Sequence, residues 1–291
     1  MSGEAPWTVL RLLRWMESYL ASHGVSPARR QAEDLLGAVL ELDRLHLYLE
    51  FEAVPSPAEL ERLRELVRQR AAGAPLQHLL GWQPFLGLRL ACDRRALIPR
   101  PETEELARRV AAWLKQRQPW AAADLGTGSG CLALALAKEA GEGSMWAVDR
   151  SAEALALAAE NAEACGLSGR LRLLQGDWVE PLRAAHAGPL DLLVSNPPYI
   201  PSAEIAGLDP SVRDHEPRAA LDGGGDGLRD LRLLLAEAPG LLKPGGLLAM
   251  ECGLGQPETL VRLALQAGAW DSALALPDLT GRLRYLWALK A

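Results

Sequence analysis

Leu190-Asp191-Leu192-Leu193-Val194-Ser195-Asn196-Pro197-Pro198-Tyr199 is the stretch whose reading decides the fold. Leu190–Ser195 is short, aliphatic and stopped by two prolines, the pattern of a buried strand in a parallel sheet. Pro197 and Pro198 have no N–H and a fixed φ, so neither extends a central ladder. The chain must leave the sheet here in a stiff, extended turn. Such a turn holds the Asn196 amide and the carbonyls of Asn196 and Pro197 at the carboxyl edge of the sheet, where open α/β sheets bind ligands. With the flat ring of Tyr199, these groups suit a planar acceptor bearing an NH2 group. The plain alternative is a strand followed by a proline turn. Composition weighs against it, because the chain has two asparagines, Asn161 and Asn196, and one of them stands before Pro-Pro-Tyr.

Around this stretch, from Trp120 onward, strand-like and helix-like patterns alternate. The expected strands are 121–125, 144–148, 171–174, 190–195 and 247–251, closed by 270–276 and 283–289. The expected helices are 131–140, 152–165, 228–242 and 258–267. Alternation of this kind implies an α/β, doubly wound parallel sheet. The first part of the chain is helical instead. Val9, Leu12, Leu13, Met16 and Leu20 have helical spacing. Ser26 reads as an N-cap with Pro27 at the first position of a second helix, and 57–72 reads as a third. The motifs Pro75-Leu76-Gln77-His78 and Gly81-Trp82-Gln83-Pro84 break the pattern. Residues 85–90 and 95–98 are expected to pair as a hairpin. The division is therefore a small helical domain over 1–85, a hairpin linker to about residue 100, and a ligand-binding domain over 86–291.

Composition bounds the function. The chain has 291 residues, 49% hydrophobic and 23% charged, with a net charge of −6. That balance argues against gripping a nucleic-acid backbone. Residues 1–85 hold nine arginines and eleven acids, so neither part is basic. Cys92, Cys131, Cys165 and Cys252 show no C-x-x-C spacing and read as small buried residues in a reducing compartment. No metal spacing, signal peptide or membrane-spanning run is present, which implies a cytoplasmic protein.

Asp124-Leu125-Gly126-Thr127-Gly128-Ser129-Gly130 joins the first strand of the sheet to its helix. Its glycines allow a tight turn and close approach of a ligand to the backbone. A dinucleotide fingerprint fails when counted from Gly126, since Cys131 stands at the third glycine; counted from Gly128, Ala133 permits the looser form. A Walker loop is excluded. The G-x-G-x-G spacing after an acid better suits a ligand without a pyrophosphate, and Asp124 is expected to face a cationic amino group. Asp149 ends the second strand and can accept the hydroxyls of a ribose. Trp178 follows the third strand and can stack on a nucleobase. Each feature has a plain structural alternative: a tight turn, a helix cap, a core indole. All three fall at carboxyl ends of successive strands, which implies a ligand with adenine, ribose and a charged amino acid: S-adenosylmethionine.

The glycine loop together with Asn-Pro-Pro-Tyr resembles the class I methyltransferases that modify planar NH2 groups, either adenine-amino DNA methyltransferases or protein glutamine methyltransferases. Leu97-Ile98-Pro99-Arg100-Pro101-Glu102-Thr103-Glu104, Pro75-Leu76-Gln77, Glu216-Pro217-Arg218, Leu221-Asp222-Gly223-Gly224 and Asp226-Gly227-Leu228 narrow the choice. Over nearly the whole chain they resemble the PrmC/HemK family, which methylates the glutamine of the Gly-Gly-Gln motif in peptide-chain release factors. Sister enzymes acting on a ribosomal-protein glutamine typically lack the Arg-Pro-Glu-Thr-Glu run.

The resemblance implies cofactor contacts at Gly126, Thr127, Gly128, Ser129, Gly130, Asp149, Trp178 and Asn196. It implies substrate contacts at Asn196, Pro197, Pro198 and Tyr199, with Asn196 and Tyr199 carrying the chemistry and no metal. Release factors are the implied partner, met by a monomer. Arg100, Glu102 and residues 215–226 are further candidates for the pocket wall. The Gly223-Gly224-Gly225 run reads equally well as a flexible loop.

Overall fold

A computed structural model describes residues 6–291. Its contacts divide the chain into two units, the first running to Gly81 and taking in Pro210–His215, the second holding the rest. The first unit contains α1 (Val9–Ser22), α2 (Ala28–Leu40), α3 (Arg44–Leu49), α4 (Pro57–Ala71) and α5 (Leu76–Leu80). The apolar stripes Leu12, Leu13, Met16 and Leu20 of α1 and Leu35, Leu36 and Val39 of α2 close on Leu63 and Val67 of α4. Ser56 and Glu59 form a reciprocal capping box at the start of α4, with Pro57 just inside it. At α2 the expectation is corrected. Pro27 is itself the extended N-cap residue, the helix begins at Ala28, and no side chain caps it.

In the second unit, β1 (Trp82–Phe85) pairs antiparallel with β2 (Leu88–Ala91). This replaces the expected hairpin of 85–90 with 95–98. Leu86 (φ 45°) and Gly87 (φ 68°) form a two-residue turn with both residues left-handed, the geometry that matches strand twist. Then follow α6 (Pro101–Leu114), β3 (Trp120–Leu125), α7 (Cys131–Glu139), β4 (Gly143–Asp149), α8 (Ala152–Ala164), β5 (Leu171–Gln175), α9 (Glu180–Ala184) and β6 (Leu190–Ser195). The short α10 (Pro210–Arg213) belongs to the first unit. The chain ends with α11 (Arg229–Glu237), β7 (Leu242–Glu251), α12 (Pro257–Ala267), β8 (Trp270–Pro277) and β9 (Leu283–Lys290). The helix expected to reach Leu242 stops at Glu237, where one 3-10 turn over Ala238–Gly240 carries Pro239. β7 therefore starts five residues before the expected Leu247.

The seven strands lie in the order β5-β4-β3-β6-β7-β9-β8. Neighbours from β5 to β7 are parallel, and β9 runs antiparallel to β7 and β8. Alternate residues of the strands feed two cores. Trp120 and Ala122 of β3 join one with α6, α7 and α8; Ala123 and Leu125 join the other with α9, α11 and α12. The sheet is thus covered on both faces. The chain runs from β3 outward through β4 to β5, then returns to lay β6 on the other side of β3. Such a reversal opens a crevice at the carboxyl ends of β3 and β6. Among the described residues no helix is long and apolar enough to cross a membrane.

Candidate active site

A cavity of about 230 Å³ opens at that crevice. Gly126, Thr127, Gly128 and Ser129 form its floor; Asp149, Asp177 and Trp178 lie to one side, and Thr103, Asn196 and Pro198 to the other. All but Thr103, which lies in the first turn of α6, follow the ends of four neighbouring strands, β5, β4, β3 and β6. Three strand spacings put the two extremes roughly 14 Å apart, a span that suits a nucleoside carrying an amino-acid tail.

The glycine loop is shaped by its own hydrogen bonds. Gly126 (φ 71°) and Gly128 (φ 55°) are left-handed, a conformation other residues enter at a cost. Both carboxylate oxygens of Asp149 hold backbone: Oδ2 accepts the Gly128 N–H at 2.9 Å and Oδ1 the Ser151 N–H at 2.9 Å. Each oxygen keeps a second lone pair for a ligand hydroxyl. Asp124 does something other than expected. It is fully buried and absent from the cavity wall. Its Oδ2 accepts the Thr127 hydroxyl at 2.7 Å and the Ala133 N–H at 3.2 Å, while Oδ1 has no partner. Burial pushes its carboxyl up to about 7. The acid shapes the loop from behind.

Trp178 stands beside the loop with φ 46°, uncommon for a bulky residue and the kind of strain held at functional sites. Gly130 is not in the cavity wall. A Cβ there would lie 3.2 Å from the Ala158 Cβ, so this glycine serves the close packing of α7 on α8. Asn161 of α8, fully buried, clips the assembly together. Its Oδ1 accepts the Ala91 N–H at 2.6 Å, and its Nδ2 donates to the Ser129 carbonyl at 2.9 Å.

At the end of β6, Ser195 donates its hydroxyl to the Leu125 carbonyl at 2.6 Å, tying this turn to the start of the glycine loop. Asn196 lines the cavity, and its Nδ2 donates to Thr103 Oγ1 at 3.1 Å. Pro198 also lines it; Pro197 and Tyr199 do not. The Tyr199 hydroxyl reaches inward to Glu251, and its ring lies beneath the Arg284 guanidinium, 5.3 Å from the ring centroid.

The outer wall includes Arg100, Pro217, Ala219 and Ala220. Buried Glu216 accepts the Ile98 N–H at 3.0 Å and pairs with Arg100, which fastens two loops together. Glu102 is not in the wall; its carbonyl accepts the Tyr285 hydroxyl at 2.8 Å. Gly223 is closely packed: a Cβ there would meet the Pro198 carbonyl oxygen at 2.8 Å. The glycine run thus braces the Asn-Pro-Pro-Tyr turn at Gly223. Cys92 and Cys252 are buried, whereas Cys131 and Cys165 are half-buried.

Thr103, Asn161, Glu251 and Arg284 were not singled out as functional side chains by sequence reasoning. Two signals existed. Glu251 is a lone acid ending the apolar run Leu247-Leu248-Ala249-Met250, and Asn161 is the other asparagine of the chain.

The cavity fits S-adenosylmethionine: a glycine floor open to close approach, a carboxylate beside it, an indole at one end and polar acceptors at the other. Residues 11–81 match the PrmC N-terminal domain, and residues 107–207 match the methyltransferase small domain. The chain is 45% identical over 267 residues to a release factor glutamine methyltransferase of Geobacter sulfurreducens, covering 91% of each. It is 45% identical over 271 residues to the enzyme of that name from Moorella thermoacetica, covering 93% of this chain and 94% of that one. Among solved structures, a methyltransferase from Pyrococcus furiosus aligns over 70% of this chain and 90% of its own, with a TM-score of 0.50 and 19% identity. A 16S rRNA N2 G1207 methyltransferase from T. thermophilus aligns over 72% of this chain and 50% of its own, with a TM-score of 0.51 and 18% identity. These two share the fold alone. The length and identity of the sequence matches go further: the chain belongs to the release factor glutamine methyltransferase family.

Proposed function

We propose that the protein methylates the side-chain amide nitrogen of the Gly-Gly-Gln glutamine in peptide-chain release factors and so modulates translation termination. The observation that carries this reading is Asn196 at the cavity wall, beside the glycine loop and before two prolines. An amide nitrogen is a poor nucleophile because its lone pair is delocalised. S-adenosylmethionine, when bound, supplies a methyl group on a sulfonium, which the amide nitrogen takes as the carbon–sulfur bond breaks and one N–H proton passes to solvent.

The residues of the chain bind and orient. Gly126–Ser129, Asp149 and Trp178 hold the cofactor, with Gly130 setting the helix behind them. The Asn196 Oδ1, at the cavity wall, accepts one hydrogen of the acceptor nitrogen; the second falls to a backbone carbonyl of the same turn, which in this reading is that of Pro197, just behind the wall. As positive charge develops on the nitrogen, those hydrogen bonds strengthen, which favours the transition state over the bound substrate. Orientation alone contributes roughly 7–11 kcal/mol in favourable systems. Pro198 walls the acceptor, and Tyr199 braces the turn from below.

Residues 1–85 act in this reading as the release-factor recognition domain and 86–291 as the catalytic domain, in a cytoplasmic monomer. Free cysteines suit a reducing compartment. The test is incubation with purified release factor and labelled cofactor, followed by mapping of the modified residue. Label on the Gly-Gly-Gln glutamine is expected; label elsewhere, or none, overturns the reading.

A further inference from the structure

Behind the Asn196–Tyr199 turn lies a second row of polar groups. Glu251 ends β7 next to the end of β6 and is fully buried. Its Oε2 accepts the Thr103 hydroxyl at 2.7 Å. Its Oε1 accepts the Tyr199 hydroxyl at 3.1 Å. The Arg284 Nη2 donates to the Tyr199 oxygen at 3.0 Å and stands 3.4 Å from Glu251 Oε1. Thr103 also accepts the Asn196 Nδ2. One carboxylate therefore joins both side chains of the reaction turn.

Donor and acceptor roles along this chain follow from its ends. A guanidinium only donates, so the Tyr199 oxygen accepts from Arg284 and its single proton goes to Glu251. An ionised carboxylate only accepts, so Thr103 gives its single proton to Glu251 and offers Asn196 a lone pair. Asn196 must then turn its NH2 toward Thr103. The two ends of an asparagine amide have nearly the same shape, and only their partners decide which faces a ligand. With Nδ2 held by Thr103, Oδ1 is the end left for the cavity. Burial leaves the Glu251 carboxyl raised from its ordinary value, with the Thr103 hydroxyl, the Arg284 charge and the Tyr199 hydroxyl favouring the ionised form against it.

We propose that Glu251 and Thr103 are positioning residues for methyl transfer: they hold Asn196 with its carboxamide oxygen, and not its nitrogen, toward the acceptor amide. The inference rests on the reading of Asn196 as the group that holds the acceptor. A reversed Asn196 would set NH2 against NH2 and repel the acceptor. Without the Thr103 hydroxyl, no partner opposes that reversal. The carboxylate acts at one remove, through the direction it imposes on the threonine hydroxyl.

The full-length enzyme tests this with Thr103→Val, which keeps the shape and removes the hydroxyl, and Thr103→Ser, which restores it. At saturating cofactor and release factor, Thr103→Val is expected to lower kcat by up to about a hundredfold. Tm should fall, because buried Glu251 loses a hydrogen-bond donor, while cofactor affinity should change far less than kcat; Thr103→Ser should recover most of both kcat and Tm. A second readout needs no substrate. The chain has two asparagines, so selective 15N-asparagine labelling gives two side-chain NH2 signals, with Asn161 as the internal reference. Solvent exchange should quicken for Asn196 alone in Thr103→Val and return to the wild-type rate in Thr103→Ser.

Wild-type kcat in Thr103→Val, or lost kcat with an unchanged Asn196 signal, overturns the proposal. If Thr103→Val does not fold, Thr103→Ala is read in the same way. If the wild-type enzyme leaves release factors unmodified, the substrate reading fails, and the NMR readout alone decides whether Thr103 holds the amide.

Discussion

Trp178 lies against the backbone of Gly126: a methyl carbon built on that glycine would sit 3.2 Å from Cζ3 of the indole and 3.5 Å from Cη2. The ring is seated by the loop it borders. We predict that Trp178→Ala weakens S-adenosylmethionine binding by about 1–3 kcal/mol, the range of base–aromatic stacking, with the fold intact. Gly126→Ala should do the same by another route. It forces alanine into the left-handed region, at about 1–2 kcal/mol, and displaces the indole. Calorimetric titration of both variants checks this; unchanged affinity would remove Trp178 from the cofactor site.

Asn196→Ala should lower the single-turnover methylation rate by about a hundredfold, or on the order of 3 kcal/mol, because it deletes an acceptor to developing charge. Both prolines remain, so the turn should persist. Asn196→Asp keeps an acceptor oxygen and is expected to retain more activity than alanine. The order of the two rates, at saturating cofactor, decides whether accepting a hydrogen is the function of this side chain.

Asn161→Ala leaves the Ala91 N–H and the Ser129 carbonyl without their partner. The expected loss is roughly 2–4 kcal/mol of stability, with weaker cofactor binding because Ser129 lies in the cavity floor. Urea unfolding followed by cofactor titration separates the two effects.

Stability should depend on pH through Asp124. Its folded pKa is raised from 3.8 to about 7, so between those values the folded state binds more protons than the unfolded one. The stabilising contribution is full below pH 4 and is lost as pH rises to 7. Raising the carboxyl that far corresponds to about 4 kcal/mol. Unfolding free energies of wild type and Asp124→Asn, measured from pH 4 to 7, should diverge steadily, wild type falling relative to the variant. Parallel curves would show that burial does not perturb this acid.

Leu45 and Leu49 of α3 are 65% and 66% exposed, beside exposed Tyr48 and Phe51. If residues 1–85 recognise the release factor, Leu49→Glu should lower kcat/KM on intact release factor at least about tenfold, the scale of a lost interface anchor. Turnover of a short Gly-Gly-Gln peptide should be unaffected. Equal loss on both substrates would assign the face another role.

Much of this was legible in the chain. The strands from β3 to β6 announced themselves as short apolar runs between glycine- or proline-marked turns, and the site residues at their carboxyl ends followed. The hairpin slipped in register because its turn is Leu86-Gly87, and leucine is an unusual residue for a left-handed position. α3 and α5, at six and five residues, are too short to display a period. The Thr103–Glu251 hydrogen bond joins residues 148 positions apart. Local pattern carries no information about such a pair; only the packing of α6 over the end of β7 creates it.

The Asn196–Pro197 peptide bond also bears on how the protein ages. Asparagine side chains deamidate when the nitrogen of the next residue attacks the carboxamide and closes a succinimide ring, a step that needs an N–H. Pro197 has none. The amide that holds the acceptor is thereby shielded from the commonest route by which asparagine turns into aspartate over time. The proline that stiffens the turn also preserves the identity of the side chain before it.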